Sequence, residues 1–141
     1  MPMGAAAGQP PRQPPGPRGA PGPLARFLRA FGFAGQGVWQ VVRTERNMRV
    51  HLAVAAAVIV AGLLWRVSAV DWACLALAIG LVLTAETLNS ALETLTDLHT
   101  SQHHPLAKTA KDAAAGAVLI ASVAAAGVGV GAAVFWPRVF G

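Results

Sequence analysis

The chain has 141 residues, of which 55% are hydrophobic and 12% charged, and its net charge is +5. A soluble domain carries about 25% charged residues, so half that share beside so much alanine, valine and leucine indicates lipid as the solvent and excludes a soluble multidomain enzyme. The single cysteine, Cys74, leaves no partner for a disulfide within the chain and reads as a small hydrophobe in an apolar run.

Residues 1–23 hold eight of the ten prolines and five glycines, with Arg12 and Arg18 as the only charges. Such a composition buries too little surface to offset the entropy of ordering, so a disordered basic tail is expected. It contains no apolar stretch of signal-peptide length, and the N-terminus is expected to be retained. From Leu24 to Thr44, Phe27, Phe31, Ala34, Val38 and Val42 recur at helical spacing, while Arg26, Arg29 and Arg43 add positive charge. That is the make-up of a helix lying on an anionic membrane surface.

Three uncharged runs follow: Leu52–Trp65 and Trp72–Ala85, of 14 residues each, and Ala113–Pro137, of 25. A hydrocarbon core of about 30 Å needs about 20 helical residues; the third run spans unaided, and the first two span only by admitting polar residues at one end. Trp65, Trp72 and Trp136 lie at the run ends, where indole rings favour the interface. The expected fold is an all-α membrane protein with an N-terminal amphipathic surface helix at 24–44 and three transmembrane helices at about 48–66, 71–97 and 111–136. Seven of the eleven basic residues precede Leu52, and Lys108 and Lys111 lie in the second connection. By the positive-inside rule the N-terminus and the second connection are cytoplasmic, and the C-terminus is outside. Gly127, Gly129 and Gly131 lie in the last run, where small residues let helices approach closely.

The informative stretch is Glu86, Asn89, Glu93 and Asp97. At 100° per residue these four fall within about 80° of one helical face, so three carboxylates and an amide line one side of the second span. Counting from Trp72 at about 1.5 Å per residue, Glu86 comes about 21 Å in and Glu93 about 31 Å in; from Trp65, Glu45 comes about 30 Å in. Glu45 and Glu93 thus reach one level from two helices. Two carboxylates there, near Arg46, Arg49 and Lys111, suit a hard cation such as Mg²⁺ that also takes phosphate oxygens. Glu86, slightly deeper, suits a general base toward a hydroxyl held at the interface. Such groups can also pair merely to hold helices together, but ionisable residues within spans are costly and usually functional. The histidines at 99, 103 and 104 near Asp97 fit a solvated polar loop better than a zinc site. No Walker loop, Ser-His-Asp set or paired-cysteine motif is present, and no nucleic-acid partner is expected.

The run AETLNSALETLTD from Ala85 to Asp97, followed by HHPLAKTAKDAAAGAVL from His103 and preceded by RTERNMRVH from Arg43, closely resembles the prokaryotic diacylglycerol kinase family of small integral-membrane lipid kinases. The match covers about residues 24–137. The resemblance implies a homotrimer in the bacterial cytoplasmic membrane, with active sites shared between subunits, that transfers the γ-phosphoryl group of Mg²⁺-ATP to a lipid alcohol. Carried onto this chain, it makes Glu86 the general base, Glu45 and Glu93 the magnesium and ATP ligands, and Asn89 and Arg49 substrate contacts. It also implies ATP contacts at Lys111, Asp112, Asp97, Gln102, His103 and His104. Arg26 would reach phosphate and substrate, and Phe33 would lie against the nucleotide where some members carry tyrosine. The pattern Glu45, Asn47, Arg49, His51 is similar to the undecaprenol kinase branch, so undecaprenol is favoured and diacylglycerol is the alternative.

Two readings of other classes remain. A proton or cation pathway needs ionisable groups toward both membrane faces, whereas the outer half of every span lacks them. A non-catalytic membrane adaptor, with the proline-rich tail docking a partner, leaves Glu45, Glu86 and Glu93 without a purpose.

Overall fold

The computed structural model describes residues 22–99 and 104–140. Its elements are four helices: α1 (Pro23–Thr44), α2 (Arg46–Trp65), α3 (Ala69–His99) and α4 (Pro105–Phe140). The chain falls into two compact units, one ending at Ala34 and the other beginning at Gly35. In the first unit the α1 residues are exposed, and Phe27 and Phe31, one turn apart, meet edge to face at 4.9 Å.

In the second unit α1 ends at Thr44, and Glu45 in extended conformation (φ −91°, ψ 121°) starts α2. A tight connection joins α2 to α3. Arg66 adopts the left-handed conformation (φ 53°, ψ 45°), its N–H and that of Val67 reaching back to Leu63 and Gly62 carbonyls at 3.4 and 3.2 Å. This closes the last turn in the manner of a Schellman cap. Ser68 and Asp71 then form a capping box: the Asp71 N–H donates to Ser68 Oγ at 3.2 Å, and the Ser68 N–H donates to Asp71 Oδ2 at 3.2 Å. So short a link forces α2 and α3 to run antiparallel.

Packing follows a spacing of seven. Met48, Ala55 and Gly62 are buried on α2, Leu75, Val82 and Asn89 on α3, and Ala114 and Ala121 on α4, the seam expected where helices meet at 3.5 residues per turn. The contact between α3 and α4 is the most extensive, with α2 against α3 next. Small residues on α2 and α4 allow the close approach; at Gly62 an added Cβ would stand 3.0 Å from the Trp72 ring. Large side chains such as Leu63, Leu64, Leu77, Leu119 and Ile120 point outward, the reverse of a soluble bundle and the arrangement lipid permits.

Three helices are long and apolar enough to cross a membrane: α2, α3, and α4 from Pro105 to Val134. At about 1.5 Å per residue, α2 is about 30 Å long and α3 about 46 Å. The surplus of α3 carries its polar C-terminal third beyond one face of a core of about 30 Å. Helix α4 begins at Pro105, ahead of the expected 111, because proline suits the first helical position, where no N–H is needed.

Candidate active site

The site is built on the polar end of α3, the start of α2 and the start of α4. Glu86 is 1% exposed, Asn89 7% and Ser90 6%. All three lie on the buried stripe of α3 that continues from Leu75 and Val82. Ser90 Oγ donates to the Glu86 carbonyl at 3.0 Å, and Asn89 Nδ2 donates to Glu93 Oε1 at 3.1 Å. Glu86 Oε2 and Asn89 Oδ1 are buried without a hydrogen-bond partner among the described residues. Buried polar groups in proteins are almost always satisfied. Two adjacent exceptions on one face mark a place where something polar is to be received.

Glu45, half-buried at the head of α2, accepts a hydrogen bond from Thr44 Oγ1 at 3.3 Å, and its side chain makes no capping bond to its own helix. His51, Glu45 and Glu93 are near enough to Glu86 to act on its carboxyl electrostatically. Glu45, Glu86 and Glu93 are thus drawn to one region by α2 and α3. Among the described residues no group of three or more metal-ligating side chains lies together. Two carboxylates, one of them oriented by an amide, are the donor set Mg²⁺ takes when phosphate oxygens and water complete its shell, so Glu45 and Glu93 fit that ion.

Other expected residues are placed less closely. Lys111 Nζ donates to Asp97 Oδ1 at 2.5 Å, tying the start of α4 to the end of α3. Lys108 pairs with Asp112 one turn along α4, and both are exposed. His104, just ahead of α4, accepts from the Leu106 N–H at 3.2 Å. Arg49 is exposed on α2. Arg26 and Phe33 are exposed and belong to the first unit. Gln102 and His103 lie outside the described residues.

Two residues outside the expected set border the same region. A cleft of about 330 Å³ opens between α2, α3 and α4, and His51 and Ser122 are its polar lining residues. Ser122 Oγ is buried and has no partner among the described residues. From the Asp97–Lys111 contact, Glu86 lies 11 residues back along α3 and Ser122 11 residues on along α4. In antiparallel helices both stand about 16 Å from the contact, so they share one level. The signal was present in the sequence, since 11 residues is close to three whole turns and keeps Ser122 on the face of Lys111.

The family model for prokaryotic diacylglycerol kinase matches residues 32–134. The chain is 45% identical over 115 residues to the undecaprenol kinase of Bacillus subtilis, covering 82% of this chain and 92% of that protein. It is 47% identical over 104 residues to a diacylglycerol kinase of Synechocystis, covering 73% of this chain and 59% of that one. With the diacylglycerol kinase of Escherichia coli it shares 36% over 103 residues, 72% of this chain and 84% of that one. Four helices with three membrane-span candidates, a carboxylate-lined end and these matches agree: the chain belongs to the prokaryotic diacylglycerol kinase family and is an integral-membrane lipid kinase that uses ATP.

Proposed function

We propose that the chain phosphorylates undecaprenol at the cytoplasmic face of the bacterial cell membrane, with Glu86 as general base. The observation that carries the base assignment is the Glu86 carboxyl, 1% exposed, with Oε2 lacking a partner among the described residues and the Asn89 carbonyl oxygen beside it in the same condition. A lipid hydroxyl entering there donates its proton to Glu86 Oε2 as its oxygen bonds to the γ-phosphorus of ATP. The bond from that phosphorus to the bridging oxygen of ADP breaks, and the products are the lipid phosphate and ADP. Asn89, held by Glu93, orients the hydroxyl through its own unpartnered oxygen.

Glu45 and Glu93 would hold Mg²⁺, which when bound supplies positive charge to the phosphate oxygens. Phosphoryl transfer asks a protein mainly for positioning and charge, and the basic residues Lys111, Arg49 and Arg26 serve that need, with Asp97, Asp112, Gln102, His103 and His104 toward the nucleoside and Phe33 against its base. Helix α1 lies on the membrane surface with its arginines toward anionic head groups. The N-terminus is cytoplasmic, the C-terminus is outside, and the working unit is a homotrimer.

Undecaprenol is preferred because the Bacillus subtilis enzyme of that name matches over most of both chains. The test gives purified protein undecaprenol and diacylglycerol separately with Mg²⁺-ATP and compares kcat/KM. Turnover of undecaprenol at least tenfold faster supports the assignment; the reverse order assigns diacylglycerol, as in the relatives from Synechocystis and Escherichia coli.

A further inference from the structure

The cleft between α2, α3 and α4 has a direction. Its α3 wall is the stripe Leu75, Ile79 and Val82, and the next turn of that stripe is Glu86. Its α4 wall begins at Ser122 and runs to Val130, and its α2 wall begins at His51 and runs to Val58. The three walls therefore begin at one level, the level of Glu86, and lead away from it through apolar side chains alone. A volume of about 330 Å³ is far beyond a packing void, since well-packed interiors rarely hold one larger than a water molecule, and it falls within the range of small-molecule sites. The buried hydroxyl of Ser122 has no partner among the described residues.

We propose that His51 and Ser122 are substrate-binding residues that hold the hydroxyl end of the lipid alcohol against Glu86, while one hydrocarbon chain of that lipid occupies the apolar cleft below them. An elongated cavity with polar groups at one end and apolar walls beyond complements a hydrocarbon alcohol, because a polar head buried there meets hydrogen-bonding partners while the chain meets none it must strip of water. Ser122 Oγ both donates and accepts, and the neutral imidazole of His51 does the same, so either can hold a hydroxyl whose proton is aimed at Glu86. Their position at the chain's first carbons makes them specificity-determining, since a branched or bulky head has to fit between α2 and α4. This rests on the assignment of Glu86 as the group that meets the substrate hydroxyl.

The experiment has two arms. In the first, Glu86→Gln protein in detergent micelles is photolabelled with a long-chain prenyl alcohol carrying a diazirine on its chain, and labelled peptides are mapped. The expected result is label on Ala125–Val130 of α4 and Val54–Val58 of α2, reduced at least tenfold by Ala126→Leu, which plugs the cleft. In the second, steady-state kinetics are measured on His51→Gln and Ser122→Ala in the otherwise wild-type chain. The lipid KM is expected to rise at least fivefold in each, with the KM for ATP within twofold of wild type, a split that a general loss of structure would not give.

Label spread evenly over outward residues such as Leu119 and Ile120 would overturn the proposal. So would a cleft filled by a second copy of the chain, seen as label absent from both walls and Ala126 protected in the oligomer. Unchanged lipid KM in both point variants would overturn it as well, and those variants carry the test if Ala126→Leu does not fold. Label in the cleft combined with full turnover by Glu86→Gln would leave the cleft standing and remove the base assignment instead.

Discussion

Lys111 on α4 donates to Asp97 on α3 at 2.5 Å, and this one contact sets the register of two antiparallel helices across the chain's longest packed seam. Both residues belong to the set expected to meet nucleotide, and the structure joins them to each other. Asp97 therefore acts on the reaction by holding the Lys111 ammonium where a phosphate oxygen is to arrive.

Replacing Asp97 by asparagine removes the charge but keeps the shape. A partly exposed ion pair is worth about 0.2–1 kcal/mol, so the thermal midpoint in detergent is expected to move by only a few degrees. A hydrogen bond to a charged group contributes about 1.5 kcal/mol, and loss of Lys111 positioning is expected to raise the KM for ATP about tenfold while the lipid KM stays near wild type. Titrating ATP at saturating lipid checks this; an unchanged KM for ATP would leave the pair with a purely structural role.

Glu93 takes part in a different way. Its Oε1 accepts from Asn89, and as a magnesium ligand it is needed only when metal and nucleotide bind together. Glu93→Gln is expected to weaken nucleotide binding in the presence of Mg²⁺ at least tenfold and to remove most of its dependence on Mg²⁺ concentration. Binding of a fluorescent ATP analogue across a Mg²⁺ series reports both, and wild-type affinity at every concentration would exclude Glu93 from the metal site.

The turn between α2 and α3 offers a prediction independent of catalysis. A Cβ at Gly62 would come within 3.0 and 3.1 Å of the Trp72 ring, whereas at Gly80 a Cβ would meet nothing within 4 Å. Gly62→Ala forces a large flat ring to shift, and overpacking of this kind costs about 1–3 kcal/mol. It is expected to lower the thermal midpoint clearly, while Gly80→Ala leaves it unchanged or slightly higher because alanine is the better helix former. Equal midpoints in the two variants would show that the Trp72 contact is loose.

The alignment of Glu86, Asn89 and Glu93 was legible in the sequence, because helical spacing alone puts them on one face and hydropathy puts that face at a span's end. The helical make-up of the spans was legible for the same reason, although Trp72–Ala85 is too short to cross by itself; α3 crosses because the helix continues through the polar residues to His99. Spacing did not separate Glu86, which is buried, from Asp97, which is exposed and paired. That difference arises from where α4 packs, which a single helix's pattern does not contain. Ser122 was illegible as a polar neighbour of Glu86 until the Asp97–Lys111 contact supplied the register between helices, and the start of α4 at Pro105 was hidden because the charged residues at 108, 111 and 112 read as loop.

The most direct test of the central claim, that Glu86 takes the proton from a lipid hydroxyl as phosphate is transferred, is transfer of ³²P from γ-labelled ATP to undecaprenol by wild type and Glu86→Gln in the same micelles, with nucleotide binding measured alongside. A general base contributes about 10²–10⁴-fold. The account predicts a labelled lipid in wild type, a fall in turnover of that size in Glu86→Gln, and nucleotide affinity within about twofold of wild type. Turnover retained in the variant, or lost together with nucleotide binding, would contradict the assignment of Glu86 as the base.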